Sequence, residues 1–264
     1  MAPQPLRALA ARRPVFGTFL KLPRPEVVDI LSLSGLDFLI CDMEHAQIDE
    51  EGARTVIQAG RATGIPIVVR VPSLEPGQVN RLLEAGAEGI QLSGTTSVAQ
   101  AADLSAFSRY PPVGRRGLST AQPAAGYGTV PLPQYLADSN ERVLRVGQLE
   151  SAHYDDPLEK IVAELDIAFI GVMDLSVDLG LPGQLQAPAV QEKIAEIAAA
   201  ANRTTTPLGI FAADEGTARH AAVTGYRYIA VASDLALLSA AARERLRPLT
   251  NRPGATAERG DNHG

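Results

Sequence analysis

The 264-residue sequence has no tryptophan, one cysteine (Cys41) and only three lysines, Lys21, Lys160 and Lys193. A single cysteine excludes an internal disulfide and leads us to expect a cytoplasmic protein. Scarce lysine restricts imine chemistry, because a Schiff-base enzyme needs a lysine inside its pocket. Lys160 and Lys193 fall on stretches that read as outer helices, which leaves Lys21 alone for that role. One cysteine and four histidines are also too few to suggest a zinc centre. No apolar run approaches the roughly 20 residues that a membrane-crossing helix requires. The net charge of -6 comes without any Lys/Arg-dense stretch, so neither a nucleic-acid nor a membrane partner is expected. Residues 1–13 lack a compact apolar segment ahead of a small-residue cleavage site and read as a flexible N-terminal arm. Residues 250–264 are polar and glycine-rich without hydrophobic period, and read as a disordered tail.

What the chain does have is alternation. Short runs rich in Val, Ile, Leu and Phe occur at 15–20, 38–42, 65–71, 89–92, 143–148, 167–171, 207–211 and 228–232. Continuous apolar runs of this length are the pattern of strands buried on both faces, as in a parallel sheet. Amphipathic stretches separate them at 26–33, 50–62, 79–85, 98–107, 156–165, 190–201, 217–223 and 235–246. Many carry end signals: Pro25 precedes the first, Asp49 and Ser97 can cap two others, and Gly64, Gly86 and Gly225 stop three. Eight strand–helix units in one chain of this length predict a single (β/α)8 TIM barrel over residues 14–249. The longest connection, 110–142, exceeds the usual loop length and is expected to be functional.

Barrels of this class place their chemistry at the C-terminal ends of the strands. Those positions hold Asp42, Glu44 and His45 after strand 2, Arg70 in strand 3, Gln148 and Glu150 after strand 5, and Asp174 after strand 6. Each alone could be a helix cap or an ion-pair member. Gathered at one mouth, so many ionisable groups are costly unless something offsets them. A divalent cation between Glu150 and Asp174 would do so, and few, oxygen-only ligands suit Mg²⁺ or Mn²⁺. His45 is the one histidine at a strand end, and histidine is suited by its ordinary pKa to act as a general base. A phosphate cradle would need glycine-rich turns after strands 7 and 8. The sequence there reads Phe211-Ala212-Ala213-Asp214 and Ala232-Ser233-Asp234, so a phosphorylated substrate is not expected.

Six segments in order resemble the metal-dependent pyruvate aldolases of the HpcH/HpaI family. They are Asp42-Met43-Glu44-His45, Val69-Arg70-Val71-Pro72, Ala85-Gly86-Ala87-Glu88-Gly89-Ile90, Tyr110-Pro111-Pro112-Val113-Gly114-Arg115-Arg116-Gly117, Gln148-Leu149-Glu150 and 170–176. The resemblance implies a divalent metal on Glu150 and Asp174, Mg²⁺ foremost, with Mn²⁺ or Co²⁺ as alternatives. It implies that pyruvate, or an oxaloacetate-like oxo acid, chelates that metal. Arg70 would stabilise the enolate oxygen, and His45, oriented by Asp42, would work with water as base or acid. Gln148 would line the pyruvate site, with backbone amides near Met173 and Asp174 holding the carboxylate. The implied reaction is reversible aldol cleavage of a 4-hydroxy-2-oxo acid to pyruvate and an aldehyde. The implied assembly is a homo-oligomer, a hexamer or trimer, with the C-terminal helix exchanged between subunits. Glu84, where the family commonly has aspartate, would reach a neighbour's site. Gln47, Ser93 and Val172 stand where the family commonly has proline, which changes the loops around the mouth and leaves the electrophile open. Two alternatives stay open here: citrate-forming or decarboxylating, cyclising chemistry on the same enolate, and a barrel that binds a 2-oxo acid without turning it over.

Overall fold

The computed structural model describes residues 4–250. Eight parallel strands form one closed barrel in sequence order. They are β1 (Val15–Leu20), β2 (Phe38–Asp42), β3 (Ile67–Val71) and β4 (Gly89–Leu92), then β5 (Leu144–Leu149), β6 (Ile167–Ile170), β7 (Leu208–Ala212) and β8 (Tyr228–Ser233). β8 closes on β1 with Val15 opposite Tyr228 and a register shift between Gly17 and Phe19. Every predicted strand is present, with ends displaced by at most two residues.

The alternation of inward and outward side chains along each strand separates two apolar layers. Val15, Phe19, Phe38, Ile40, Val68, Val146, Phe169 and Tyr228 fill the barrel interior. Leu39, Cys41, Ile67, Val69, Ile90, Leu92 and Ile170 face the helices instead. The interior is a packed core rather than a pore, with Phe38 and Tyr228 stacked at 4.3 Å between ring centroids.

The helices follow in chain order: α1 (Leu6–Ala10), α2 (Pro25–Ser32), α3 (Glu50–Thr63), α4 (Pro76–Ala85), α5 (Val98–Ser108) and α6 (Leu132–Arg142). Beyond β5 come α7 (Leu158–Val162), α8 (Val172–Asp178), α9 (Pro188–Thr204), α10 (Glu215–Val223) and α11 (Asp234–Thr250). Their ends obey local chemistry. The Asp49 carboxylate accepts from the Gly52 N–H to start α3, and Gly64 ends it at φ 81°. Ser97 and Gln100 form a reciprocal capping box on α5.

Three expectations are corrected. The predicted flexible arm over 1–13 contains α1, whose Leu6 and Ala10 are fully buried against the barrel interior. The Leu6 N–H donates to Glu88 Oε1 at 2.9 Å, and Arg7 Nε lies 2.9 Å from Asp166 Oδ1. Leu6 and Ala10 are one helical turn apart, which is the spacing that buries one face. The helix expected over 156–165 spans only Leu158–Val162: it starts after Pro157 and ends at the Ala163 cap. The connection 110–142 is not one open loop: it holds a 3₁₀ segment (Pro123–Gly128) and α6, tied by Tyr110 and Tyr135 hydroxyls 2.9 Å apart. It also lies at the start of β5, the end of the barrel away from Glu150. The expected tail of 250–264 falls outside the described residues, apart from Thr250 closing α11.

Among the described residues no helix is long and apolar enough to cross a membrane. Along α11, Leu235, Leu238, Leu246 and Leu249 share one face and stay exposed among the described residues.

Candidate active site

Asp42 is the last residue of β2 and fully buried. Its carboxylate takes a two-pronged contact from Arg70, Nε at 2.9 Å and Nη2 at 2.6 Å, across a register that sets the two residues opposite each other. Lys21 Nζ lies 3.0 Å away, and the backbone N–H groups of Glu44 and His45 both donate to Asp42 Oδ1 at 3.1 Å. Burial works against this charge, but the hydrogen bonds and charge of Arg70, with the other donors, hold the carboxyl below the ordinary carboxylate range. Removing one partner of such a buried pair would strand the other.

Arg70 sits over the Phe19 ring, 4.6 Å from its centroid, and Nη1 reaches within 3.2 Å of Glu44 Oε2. A guanidinium has five N–H donors. Two are committed to Asp42, so donors on Nη1 and Nη2 remain for a ligand at the mouth. Ser93, at the end of β4, donates its hydroxyl to Glu44 Oε2 at 2.6 Å, a contact that proline could not make.

The imidazole of His45 is half exposed, with Nε2 3.6 Å from Glu44 Oε2. Asp42 was expected to orient that ring, and the structure corrects this. The carboxylate fixes the backbone N–H of His45, while Lys21 Nζ donates to the His45 carbonyl at 3.1 Å. Lys21 is thus committed to holding the His45 loop.

Across the mouth, Glu150 follows β5 and is partly buried. Oε1 accepts from the Gly94 N–H at 2.8 Å and Oε2 from the Gln148 amide. Gln148 is itself buried and accepts from Gln91 at 2.7 Å. Burial, with Asp174 and Glu44 nearby, pushes the Glu150 carboxyl up to about 7 despite those two donors. Gly171 makes the space for this carboxylate: a Cβ there would stand 2.2 Å from Glu150 Oε2.

Asp174 and Met173 belong to the first turn of α8, a helix the sequence did not suggest, and both are exposed. The first N–H groups of a helix have no partner inside it. Those of Met173 and Asp174 therefore have no partner within α8.

The donors fit a divalent cation of the hard kind. Glu150 and Asp174 offer carboxylate oxygen, and a cation would relieve the mutual opposition of Glu150, Asp174 and Glu44. The soft ligand is withdrawn: Cys41 faces the outer core, and burial pushes its thiol up to about 12. Among the described residues no group of three or more His, Cys, Asp and Glu side chains that could hold a metal ion converges.

Glu84 is not at this mouth. It lies near the C-terminus of α4, the end of the helix that leads back to the start of β4, and its Oε1 accepts from Asn80 at 3.3 Å. Gln91, Gly94 and Gly171 were not singled out in the sequence. A polar residue inside the apolar run of β4, and a glycine directly after that of β6, were the available signals.

A family model described as HpcH/HpaI aldolase/citrate lyase matches residues 15–241. The chain is 35% identical to a 5-keto-4-deoxy-D-glucarate aldolase from Klebsiella pneumoniae over 90% of its length and 93% of the relative's. It is 34% identical to a hydroxypyruvate/pyruvate aldolase from Paraburkholderia phytofirmans, covering 88% of this chain and 92% of that one. Its structure superposes with a TM-score of 0.85 on an HpcH/HpaI aldolase/citrate lyase family protein from Burkholderia cenocepacia. That protein is 33% identical, with 92% of this chain and 98% of the other covered.

Proposed function

From the premise that this chain belongs to the HpcH/HpaI aldolase/citrate lyase family, we propose that it forms an enolate of pyruvate, or a close oxo acid, at Glu150 and Asp174. The enzyme is a carbon–carbon lyase of the aldolase type, and aldolases of this family depend on a divalent metal. Its reaction is the reversible cleavage of a 4-hydroxy-2-oxo acid to pyruvate and an aldehyde. The carrying observation is the opposition across one mouth of two carboxylates, Glu150 and Asp174, to a guanidinium, Arg70, that still has donors to spend. The aldolase names of relatives at 35% and 34% identity favour this reading over citrate-forming or cyclising chemistry.

The cation, Mg²⁺ foremost, supplies Lewis-acid polarisation of the keto acid. The protein's own groups do the rest. Arg70 donates to the oxygen on which charge develops, held in place by Asp42 and Glu44. The N–H groups of Met173 and Asp174 bind the substrate carboxylate, and Gln148 keeps Glu150 aligned. His45, its main chain clamped by Asp42 and Lys21, moves the proton to or from the aldehyde side. The exposed apolar face of α11 supports a homo-oligomer, trimer or hexamer, in which this helix packs on another subunit. In such an assembly Glu84 approaches a neighbour's mouth. The single reduced cysteine supports a cytoplasmic setting.

Incubation with pyruvate, Mg²⁺ and D₂O tests the core of this reading without knowledge of the aldehyde. The methyl protons are expected to exchange, as seen by the loss of their proton NMR signal. No exchange above a chelator-treated control would reject enolate formation. A panel of aldehydes with pyruvate then identifies the acceptor.

His45→Ala separates the proton carrier from the metal site. Turnover of a 4-hydroxy-2-oxo acid is expected to fall about 10²-fold or more, the usual contribution of a positioned acid–base group. Added imidazole should restore part of it, while Mn²⁺ affinity stays at the wild-type value. A variant with undiminished turnover would leave His45 as a surface partner of Glu44.

A further inference from the structure

A fully buried glutamine in the barrel interior is out of keeping with its surroundings. Gln91 lies on β4 in register with Arg70 and Val146, facing an interior that holds Val68, Val146 and Tyr228 beside the buried Gln148. A buried amide there costs stability unless its groups are paired. Gln91 Nε2 donates to Gln148 Oε1 at 2.7 Å, and its Oε1 faces the Tyr228 hydroxyl at 3.5 Å. Gln148 in turn donates to Glu150 Oε2.

The polarity of this chain is set from the Glu150 end. A carboxylate that holds a cation is ionised and only accepts, so Gln148 must then keep its NH₂ toward Glu150 Oε2, where it lies, and its oxygen away. That oxygen is buried and needs a donor, which Gln91 supplies. Without a donor on β4, that oxygen would be buried without a partner, and the amide would keep only one of the two bonds that fix its orientation. Resting on the metal reading above, we propose that Gln91 is a positioning residue that locks the Gln148 amide and thereby holds Glu150 ready for a cation. Gln91 touches neither substrate nor metal and acts through Gln148 alone. Groups of this kind behind a metal ligand typically change metal affinity or activity by about 10–100-fold.

The test is the Mn²⁺ dissociation constant of the whole chain, read from the electron paramagnetic resonance signal of free Mn²⁺. Gln91→Met keeps the length of the side chain and removes both the donor and the acceptor. It is expected to bind Mn²⁺ about 10-fold or more weakly. Because Gln91 acts through Gln148, adding Gln91→Met to Gln148→Met should weaken binding no further. An unchanged Mn²⁺ affinity in Gln91→Met overturns the proposal, even if melting temperature falls, since that pattern marks a purely structural role. A further additive loss in the double variant overturns it too. Should Gln91→Met not fold, Gln91→Asn, which keeps an amide too short to reach Gln148, is judged by the same criteria. A wild-type chain that binds no Mn²⁺ rejects the metal reading itself. Wild-type binding with an unaffected Gln91→Met rejects only the role of Gln91.

Discussion

Arg70→Lys is expected to leave the protein folded and to lower kcat by about 10²–10³, the usual effect of losing one donor to a developing oxyanion. The lysine keeps a positive charge for Asp42, which is fully buried and would otherwise be stranded. It cannot reproduce the planar fork that grips Asp42 through Nε and Nη2 while Nη1 reaches toward Glu44. Arg70→Ala should behave differently. It removes the same donor but also leaves Asp42 without its main counter-charge, a defect of about 3–5 kcal/mol in buried pairs. A lower melting temperature should therefore accompany the loss of activity in alanine and be small in lysine. Deuterium exchange into pyruvate isolates the step, because it requires the enolate and no aldehyde. Wild-type exchange by Arg70→Lys would show that the guanidinium only anchors Asp42.

The barrel was legible because each strand is a short, largely apolar run, and several strand ends carry charged or polar residues. Asp42, Arg70, Gln148 and Glu150 could be placed at one mouth by that rule alone. What the pattern did not carry was who bonds to whom. The Gly94 N–H meets Glu150 from 56 residues away, and Ser93 meets Glu44 from 49 away. No local period encodes such pairs. The same limit explains the reading of Asp42 as a partner of the His45 ring. Three residues apart, the two fit that role, but Arg70 and Lys21 claim the carboxylate once the strands pair. α1 was missed for another reason. Its five residues are too few to show a helical period, and it is held by Glu88 and by burial against the interior. α8 likewise starts only one residue after β6, and its seven residues are too few to show a helical period.

Loss of the cation site is expected to have the largest effect of all. Glu150→Gln and Asp174→Asn should each abolish tight Mn²⁺ binding and lower turnover by about 10³-fold or more, since a Lewis-acid cation contributes several kcal/mol. Chelation of the wild type should do the same, with recovery on adding Mg²⁺, Mn²⁺ or Co²⁺. Neither substitution threatens the fold. Asp174 is exposed on the first turn of α8, and in the metal-free protein the charge of Glu150 is opposed by burial, Asp174 and Glu44. Glu150→Gln should therefore melt at or above the metal-free wild type. Gly171→Ala gives the geometric counterpart, leaving both carboxylates in the sequence. Its Cβ would stand 2.2 Å from Glu150 Oε2 and 2.8 Å from Glu150 Cβ, so the side chain must leave its present position. Metal affinity should drop by about 10–100-fold, the range seen when the support of a ligand is disturbed. Full activity in excess chelator, or a Gly171→Ala variant with wild-type Mn²⁺ affinity, would mean that the cation does not sit on Glu150.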